Sequence, residues 1–472
     1  MRNYFFGLLT VVLCSTQVYS QGVQDMFRFS QPGYLGQARS VGLAGAMGAA
    51  GNDMTAISYN PAAASIFRSD EFGVSATFYN AQGDASLYSE TNIQDANKFI
   101  LNNLGYLKKI RENDPYSSTF AITYNQQVNY QERQVVTADN PTSSNIDSWI
   151  YSAGNTPPRE LYNQGLYEEG AAYFSYLIDY DSVGGGYTST ALGLPRQRIE
   201  IERSGNKSDI NITYSDVYNK KLHWGASLQI PTLRYRDYVT LTETGFSGDS
   251  ISGFTKENYF ATDGAGIGAT FGIIYKPSHA LRLGASIKTP EVLFLSGGWE
   301  TIITTQFSNN PYPEATSVGN DDYTYTAFTA PTFSVSSGIV FTKYGFIDVD
   351  FSYIPYTWSS YSSLGPEVNN EIDNLMKDAI NLKIGGEIKA NRIYFRGGYN
   401  LLSTPYSFDG KVGQRRIIAL GIGYRQPGYS IDLGYQNAEQ SDRYFAYSGE
   451  FTDPVNTQLT QNNLVVSYNL RF

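Results

Sequence analysis

Apolar and polar residues alternate with a period of two along most of the chain, which is the pattern of strands with one apolar face. The period recurs in 281–288, 347–353 and 380–389. After residue 20 no stretch approaches the roughly 18 consecutive apolar residues of a transmembrane helix. The sequence therefore predicts an all-β protein. The clearest apolar face is that of the last segment: Leu464, Val466, Tyr468, Leu470 and Phe472.

The alternating segments predict fourteen strands joined by links that are short and long in turn. Alternation alone fits both a soluble sandwich and a membrane barrel, but a sandwich has no reason to sort its links by length. Short turns on one side and long loops on the other are typical of an outer-membrane barrel. The predicted strands are 71–80, 97–109, 117–130, 198–217, 221–242, 255–276, 280–303, 322–342, 344–358, 377–390, 392–402, 411–426, 428–440 and 459–472.

The seven predicted long links are not all plain coil. They are 81–96, 131–197, 243–254, 304–321, 359–376, 403–410 and 441–458. Apolar residues within 159–179 and 367–376 suggest short helices, so 131–197 is expected to be partly helical. In the fourth strand the apolar parity changes between Ile201 and Ile210. A bulge near Gly205 accounts for this change, and the alternative is a hairpin, which would break the even strand count.

Composition narrows the class further. The chain has 472 residues, 17% charged, with 39 Tyr, 26 Phe and a net charge of −10. An acidic chain lacks the basic footprint of a nucleic-acid-binding protein. A mean hydropathy of −0.32 excludes a helical membrane bundle, and the aromatic content excludes disorder.

Residues 1–20 have the pattern of a secretory signal peptide, with Arg2 before an apolar run and a small residue at Ser20. A membrane anchor is the alternative, but the run is too short to span a bilayer. Cys14 raises the possibility of a lipoprotein, which the bulky Leu13 disfavours. Cys14 is also the chain's one cysteine, so neither disulfides nor a Cys/His metal site are expected.

Residues 21–69 do not alternate and are rich in Gly and Ala. Asn60 is a good N-cap and Pro61 a good first helical residue, so a short helix is predicted over 61–66. The glycines do not form a nucleotide loop, because no strand precedes them and no Lys-Ser/Thr follows. A compact segment of this length before a wide barrel predicts an N-terminal hatch, or plug, with residues 70–472 forming the barrel.

Several motifs resemble those of the FadL-type transporters, which carry long-chain fatty acids and other hydrophobic compounds across bacterial outer membranes. The resemblance covers the whole predicted mature chain and is strongest at the hatch and the C-terminus. It implies fourteen strands, capture of a hydrophobic ligand, a hatch shift and a sideways exit into outer-membrane lipid. It implies no catalytic residue and no cofactor. The matching segments are 37–46, Asp53, Tyr59 with the hatch motif Asn60, Pro61 and Ala62, and more loosely 283–290, 384–387 and 396–399. An aromatic C-terminus such as Phe472 resembles the signal read by barrel-insertion machinery.

Two sets of residues are candidate ligand contacts. Phe27, Phe29 and Tyr34 of the hatch have the apolar surface for an acyl chain, although packing against the barrel wall explains them equally. Arg282, Lys288 and Arg396 lie on the polar face and suit a ligand carboxylate. The alternative for these cations is pairing with lumen acids, of which Asp348, Asp350 and Glu387 are the candidates.

The sequence is compatible with several other functions. Uptake of hemin would draw on the two histidines, His223 and His279, or on tyrosines, and uptake of aromatic compounds fits the same barrel. A barrel lipase would need His223 near a lumen serine such as Ser227. A general diffusion pore would need an open lumen, and an adhesion barrel would bind through 131–197.

Overall fold

The computed structural model describes residues 22–472 except 89, 114–115, 249, 311–312, 342–343 and 409. Residues 1–20, the predicted signal peptide, lie outside the described residues. Fourteen antiparallel strands form one barrel, as predicted. Their bounds are β1 Glu71–Leu87, β2 Glu90–Asn113, β3 Tyr116–Asn129 continued by Glu132–Asp139, β4 Arg196–Tyr218, β5 Leu222–Thr244, β6 Ile251–Tyr275, β7 Leu281–Lys288 continued by Val292–Phe307, β8 Glu314–Phe328 continued by Thr332–Val340, β9 Gly345–Ile354, β10 Ala379–Ala390, β11 Ile393–Leu402, β12 Arg415–Arg425, β13 Tyr429–Tyr444 and β14 Val455–Arg471.

The first and last strands close the barrel. β1 pairs with β14 over Glu71–Ser86, and β1 also pairs with β2. Six of the links between strands have two to five residues. They lie at the end of the barrel where β1 begins and β14 ends, which we call the turn end. The opposite end, the loop end, carries the longer links. One predicted long link is wrong: residues 81–96 are paired strand up to Leu87 and Glu90, because β1 and β2 extend far beyond the membrane.

The wall has its apolar side outward. On β14, Leu464, Val466 and Tyr468 are 42%, 48% and 40% exposed, whereas Asn463, Val465 and Ser467, which alternate with them, are buried. Large apolar side chains are exposed in the same way around the circumference, among them Phe99, Phe294, Ile388 and Leu420. A soluble protein would place the apolar face inside, so this arrangement identifies a wall in contact with lipid and a polar lumen. No helix among the described residues is long and apolar enough to cross a membrane.

Residues 22–69 fill the lumen and form the plug. It contains helices α1 Val23–Ser30, α2 Ala38–Val41 and α3 Met54–Tyr59, followed by a 3-10 helix over Pro61–Ile66. The predicted short helix over 61–66 is therefore present. Nearly all of the plug's apolar side chains are buried. The plug can pack closely because the wall offers glycines: a Cβ on Gly398 would lie 2.2 Å from the backbone carbon of Leu43, and one on Gly434 would lie 2.4 Å from Ala38 O.

The link between β3 and β4 folds into a cap over the loop end. It contains α4 Asn145–Ala153, a 3-10 turn at Tyr162–Gln164, α5 Tyr167–Phe174 and a small hairpin of Asp179–Tyr180 with Tyr187–Thr188. Its apolar core includes Trp149 and Leu161, and it packs on Phe254 of β6. A further helix, α6 Pro366–Leu375, lies in the link from β9 to β10 after a 3-10 turn at Tyr356–Trp358 and a two-residue strand, Ser360–Tyr361.

The predicted bulge near Gly205 is wrong. The pairing of β4 with β5 is continuous through Gly205 and Asn206, and odd-numbered residues face the lumen along the whole strand. Ile210 and Ile212 face lipid, whereas Ile199 and Ile201 are buried in an apolar cluster inside the barrel near the loop end. The apolar side of the strand changes because its upper part has left the membrane. The bulge of this region lies instead in β3, between Gln126 and Val128.

The barrel has an unpaired seam between β2 and β3. The two strands pair only where Asn103–Asn113 faces Tyr116–Asn125. Above this, β3 is interrupted at residues 130–131, and its continuation pairs with β4 alone in the described structure. This continuation lies on the lumen side of β1: Tyr79 donates a hydrogen bond to Gln131 O at 3.1 Å, and a Cβ on Gly83 would lie 2.5 Å from Arg133 O. The upper part of β3 has therefore turned inward, and residues 90–102 of β2 pair with β1 on one side and have no partner on β3 on the other.

Candidate functional site

Two wall carboxylates hold the glycine-rich part of the plug. Asp350 accepts hydrogen bonds from the backbone N–H groups of Met47 and Gly48, at 3.0 Å each for Oδ2. Asp348 accepts from Ala49 at 3.1 Å and from Ala50 at 2.8 Å. Each carboxylate thus accepts hydrogen bonds from two consecutive backbone N–H groups. These N–H groups belong to no helix or strand and would otherwise be buried without partners. β9 therefore fixes the path of the plug through its backbone.

A buried ion cluster fixes the plug on the other side. Arg39 of α2 lies 3.0 Å from Glu387 of β10, and Arg396 of β11 bridges Glu387 and Asp432 at 2.7 Å each. All four side chains are at most 8% exposed. Such a cluster is stable only while every member keeps its partner, so the plug and the wall depend on each other.

The hatch motif is more than a helix cap. Asn60 accepts from the Ala62 N–H at 3.2 Å, which is the predicted N-cap, and it also donates to Gly48 O and to Ile273 O of β6 at 3.0 and 3.1 Å. The wall makes room with glycines, because a Cβ on Gly272 would lie 2.0 Å from Asn60 Oδ1. Asn60 therefore joins two parts of the plug to the wall.

The outer cavity lies toward the loop end, beside the interruption in β3. Its volume is about 530 Å³. Aromatic and apolar groups from the plug and wall line it: Phe27, Tyr34, Val128, Tyr130, Tyr235, Tyr406 and Leu459. Its two guanidinium groups are already neutralised. Arg28 pairs with Asp25, and Arg203 pairs with Glu132 and Asp237. The cavity combines aromatic walls with two paired guanidinium groups, and the rest of its lining is polar: Gln24, Gln31, Asn129, Gln440, Asp442 and Gln461.

The inner cavity lies deeper in the lumen and has a volume of about 870 Å³. It touches the outer cavity at Gln31, which lines both. Its lining is polar, with serine and threonine residues from β7, β8 and β9 and three lysines, Lys207, Lys288 and Lys383, opposite Asp209, Glu291 and Asp350. The two cavities therefore differ in chemistry although they are neighbours.

The structure separates the three aromatic candidates. Phe27 and Tyr34 line the outer cavity. The ring of Phe27 is edge-on to those of Tyr356 and Tyr406, with 5.7 Å between ring centroids in each pair. Phe29 is fully buried against Tyr235 and lines neither cavity. Two of the three are thus placed to contact a ligand, and the third is part of the packing between plug and wall.

The three candidate cations lie apart from one another. Arg282 donates to Ala50 O at 2.6 Å, so its expected pairing with an acid is replaced by a backbone carbonyl of the plug. Lys288 lines the inner cavity and pairs with Glu291 at 2.5 Å. Arg396 belongs to the buried cluster with Glu387, which is the pairing considered for it from the sequence. Among the three, only Lys288 faces a cavity.

The pairing of His223 with Ser227 that the lipase hypothesis called for is not formed, and His223 contacts a serine of the plug instead. His223 Nδ1 lies 2.7 Å from Ser65 Oγ of the plug, and Ser65 Oγ donates to Ala62 O. Ser227 bonds instead with Thr213 at 2.8 Å. His279 lies in the turn between β6 and β7 and is exposed. In the described part of the chain, no group of three His, Cys, Asp or Glu residues has a geometry that would hold a metal ion.

Several lining residues escaped the sequence analysis. Tyr130, Tyr235 and Tyr406 line the outer cavity, and Asp209 and Lys383 line the inner one. The chain has 39 tyrosines, and nothing in the alternation separates those at a cavity from those in lipid. The one available signal was the lumen parity of Asp209 and Lys383 on strands whose other face is apolar.

A plugged, lipid-exposed barrel of fourteen strands whose lumen holds an aromatic cavity beside an unpaired seam has the fold of the FadL-type channels. The chain is similar to a Pseudomonas aeruginosa FadL homologue, with 13% identity and a TM-score of 0.56, over 94% of this chain and 99% of that one. It is also similar to the Pseudomonas putida toluene transporter TodX, with 14% identity and a TM-score of 0.54, over 94% and 99% of the two chains. No protein-family model and no curated protein matches the sequence. The likeness shows the fold, and these neighbours are transporters and channels.

Proposed function

We propose that this protein transports hydrophobic molecules across the bacterial outer membrane. A molecule enters the outer cavity from the loop end, is held there by aromatic side chains, and leaves sideways into lipid through the seam between β2 and β3. The observation that carries this proposal is the shared boundary of cavity and seam. Val128, Asn129 and Tyr130 line the outer cavity, and they follow shortly after Asn125, the last residue of β3 that pairs with β2.

The exposed edge of β2 supports a lipid exit. Phe99 and Leu101 are 73% and 51% exposed beside the unpaired seam. A hydrophobic molecule that passes the seam meets apolar side chains and lipid at once and never crosses water. The straight route along the barrel axis is filled by the plug, which is held at Asp348, Asp350 and Glu387. Sideways release therefore needs less movement than axial passage.

The charges around the outer cavity favour an uncharged cargo. Arg28 and Arg203 are both ion paired, so a fatty-acid carboxylate would have to displace an internal partner. An uncharged aromatic ring needs no such exchange, and it gains edge-on contacts with the tyrosines and Phe27. The TodX neighbour is a toluene transporter. We therefore place uncharged aromatic molecules first and long-chain fatty acids second.

The experiment is an uptake assay with two labelled cargoes, toluene and oleate. Cells that make the wild-type protein are compared with cells that lack it and with cells that make a variant without residues 22–58, with surface expression confirmed for both proteins. We expect faster toluene uptake with the wild type, and a smaller gain for oleate. The variant should admit small hydrophilic solutes, because its lumen is no longer filled.

The result decides between the candidate functions. Oleate uptake that exceeds toluene uptake would reverse the order of the cargoes and leave the transport proposal standing. No gain for either cargo, with hydrophilic solutes entering through the wild-type barrel, would replace the proposal by a diffusion pore. Hemin is disfavoured because His223 is buried against the plug and His279 lies in an exposed turn.

A further inference from the structure

The inner cavity is polar in a way that the proposed hydrophobic cargo does not use. Its lining carries three lysines and three acids, so its formal charge is balanced. Two of these six groups nevertheless lack a bonding partner, and they are Asp209 of β4 and Lys383 of β10. Both lie inside the barrel, where an unsatisfied polar group is costly.

Asp209 is fully buried and faces the cavity. Neither of its carboxylate oxygens makes a well-formed hydrogen bond in the described structure, and the side-chain amide of Gln127 is a donor within reach of them. Its neighbours Lys207 and Lys288 both pair with Glu291. Two lysines and one glutamate leave one positive charge beside Asp209. The oxygens of Asp209 face the cavity and are free to accept hydrogen bonds from a ligand.

Lys383 is 6% exposed and is the matching group on the other wall. Its ammonium lies 4.2 Å from the ring centroid of Tyr59 in the plug, and it makes no hydrogen bond or ion pair with any described residue. The nearest opposite charge is Asp350, whose oxygens are occupied by the Met47 and Gly48 N–H groups. The three protons of this ammonium are thus available to an acceptor in the cavity.

Between these groups the cavity is lined by hydroxyl and amide side chains, among them Ser286, Thr332, Ser334 and Asn381. Hydroxyl and amide groups both donate and accept hydrogen bonds, which suits a ligand that presents N–H and C=O groups in alternation. We propose that the inner cavity binds a short peptide with free ends, its ammonium at Asp209 and its carboxylate at Lys383.

The length of the peptide follows from the position of the two strands. β4 and β10 are six strands apart in a ring of fourteen, so they lie on facing walls. A barrel of this size is roughly 25–30 Å across between backbones, and the two side chains and the plug reduce the gap to roughly 10–15 Å. An extended residue spans about 3.3–3.6 Å. Three to four residues fit, whereas a single amino acid is too short to reach both groups.

The test uses the purified full-length protein in detergent and isothermal titration calorimetry. The probes are alanine, trialanine and tetraalanine with free ends, and trialanine carrying either an N-acetyl or a C-terminal amide cap. We expect the tri- and tetrapeptide to bind, alanine to fail, and each cap to weaken binding at least about tenfold, since each removes a charge-assisted contact.

Two variants identify the ends. Asp209→Asn should lose its sensitivity to the N-acetyl cap and keep its sensitivity to the amide cap, and Lys383→Met should show the reverse. Asp95→Asn and Lys98→Met on the exposed part of β2 are the charge-matched controls. Absence of peptide binding, or equal affinity for capped and uncapped peptides, would overturn the inference. Competition by toluene would show that the hydrophobic cargo occupies the same space and would also overturn it.

The outcome is separate from that of the uptake experiment, because the outer cavity and seam share no residue with the Asp209–Lys383 pair. Failure of peptide binding leaves toluene uptake untouched. Loss of toluene uptake leaves the peptide titration to be judged on its own.

Discussion

Glu387 of the barrel wall holds two guanidinium groups with one carboxylate: Oε2 lies 3.0 Å from Arg39 Nε of the plug and 2.7 Å from Arg396 Nε of the neighbouring strand. The plug and the wall thus share an anion. Removing that anion leaves two buried cations facing each other, whereas removing Arg39 leaves the wall pair intact. The stability of the plug should therefore depend more on Glu387 than on Arg39.

The first prediction concerns this cluster. Glu387→Gln should release the plug, because breaking a buried ion pair from one side costs about 3–5 kcal/mol. We expect larger and more frequent conductance steps in planar bilayers than for the wild type, with Arg39→Gln intermediate. Glu71→Gln is the control, since Glu71 pairs with Arg471 at the turn end and holds no part of the plug. Equal conductance of Glu387→Gln and the control would contradict the role of the cluster.

The second prediction concerns the fit of Asn60 against the wall. Gly272→Val should displace the hatch motif, because its Cβ would lie 2.0 Å from Asn60 Oδ1. We expect proteolysis within residues 48–62 to become several times faster while the barrel keeps its heat-modifiable migration on gels. Gly428→Val is the matched control, since nothing lies within 4 Å of its added Cβ. Unchanged proteolysis in Gly272→Val would show that the plug tolerates the shift.

The third prediction concerns pH and the first plug helix. Asp25 is 2% exposed in α1, and burial raises its pKa from the ordinary 3.8 to about 7, against the opposing effect of Arg28. Between about pH 4 and 7 the docked helix therefore holds a proton that the undocked helix releases, and above this range Asp25 is the anion that pairs with Arg28. Docking is favoured below about pH 4 and loses this contribution as the pH rises to about 7. Hydrogen exchange of the α1 amides should show protection that falls with pH, by at most about tenfold per pH unit.

Asp25→Asn is the decisive comparison for this pH dependence. The amide cannot titrate, so protection of α1 should become flat between pH 4 and 7 after correction for intrinsic exchange. A variant that keeps the wild-type slope would assign the effect to another group.

The fourth prediction tests the seam as an exit. In a Cys14→Ser background, a cysteine is placed at Gln131, where β3 is interrupted, and is modified with a bulky maleimide. Modification should reduce toluene uptake at least severalfold, because the adduct fills the route from cavity to lipid. A cysteine at Ile122, on the paired and lipid-facing part of the same strand, is the control. Loss of uptake at both positions, or at neither, would argue against an exit at the interruption.

The fifth prediction concerns the outer cavity. Phe27→Ala removes a ring that meets Tyr356 and Tyr406 at 5.7 Å. The affinity for toluene should fall by about 1–3 kcal/mol, as expected for loss of a buried aromatic contact. Phe99→Ala, on the lipid side, should bind toluene as the wild type does. Fluorescence or calorimetric titration of the purified protein measures both, and equal loss in the two variants would contradict a specific role of Phe27.

The strand count was predictable because lipid imposes a period that every membrane-spanning segment must obey. The same rule failed above the membrane. In β4, Ile199 and Ile201 face the lumen while Ile210 and Ile212 face lipid, and in the sequence alone this change of side has the same pattern as a bulge. The apolar side of a strand is the side that faces away from water. Near the loop end the outside of the wall faces water instead of lipid, so the apolar residues of β4 there point into the barrel.

The candidate site was predictable only in part. Phe27 and Tyr34 could be named because the plug is short and holds few aromatic residues. Asp209 and Lys383 could not, since each looks like an ordinary lumen residue on its own strand. Their relation arises from the closure of the barrel, which brings β4 and β10 to face each other across nearly half of the circumference. Similarly, Asp348 and Asp350 were expected to bind cations, and they bind backbone N–H groups of the plug instead.

The unpaired seam also bears on how the barrel is assembled. Barrel closure joins the first and last strands, β1 and β14, and these are fully paired over Glu71–Ser86. The β1–β14 pairing is therefore among the most extensively hydrogen-bonded in the barrel. The unpaired seam lies two strands away. There, the backbone N–H and C=O groups of residues 90–102 of β2 that point toward β3 have no partner on β3. Under mechanical load or during extraction, rupture should begin along this seam rather than where the chain ends meet.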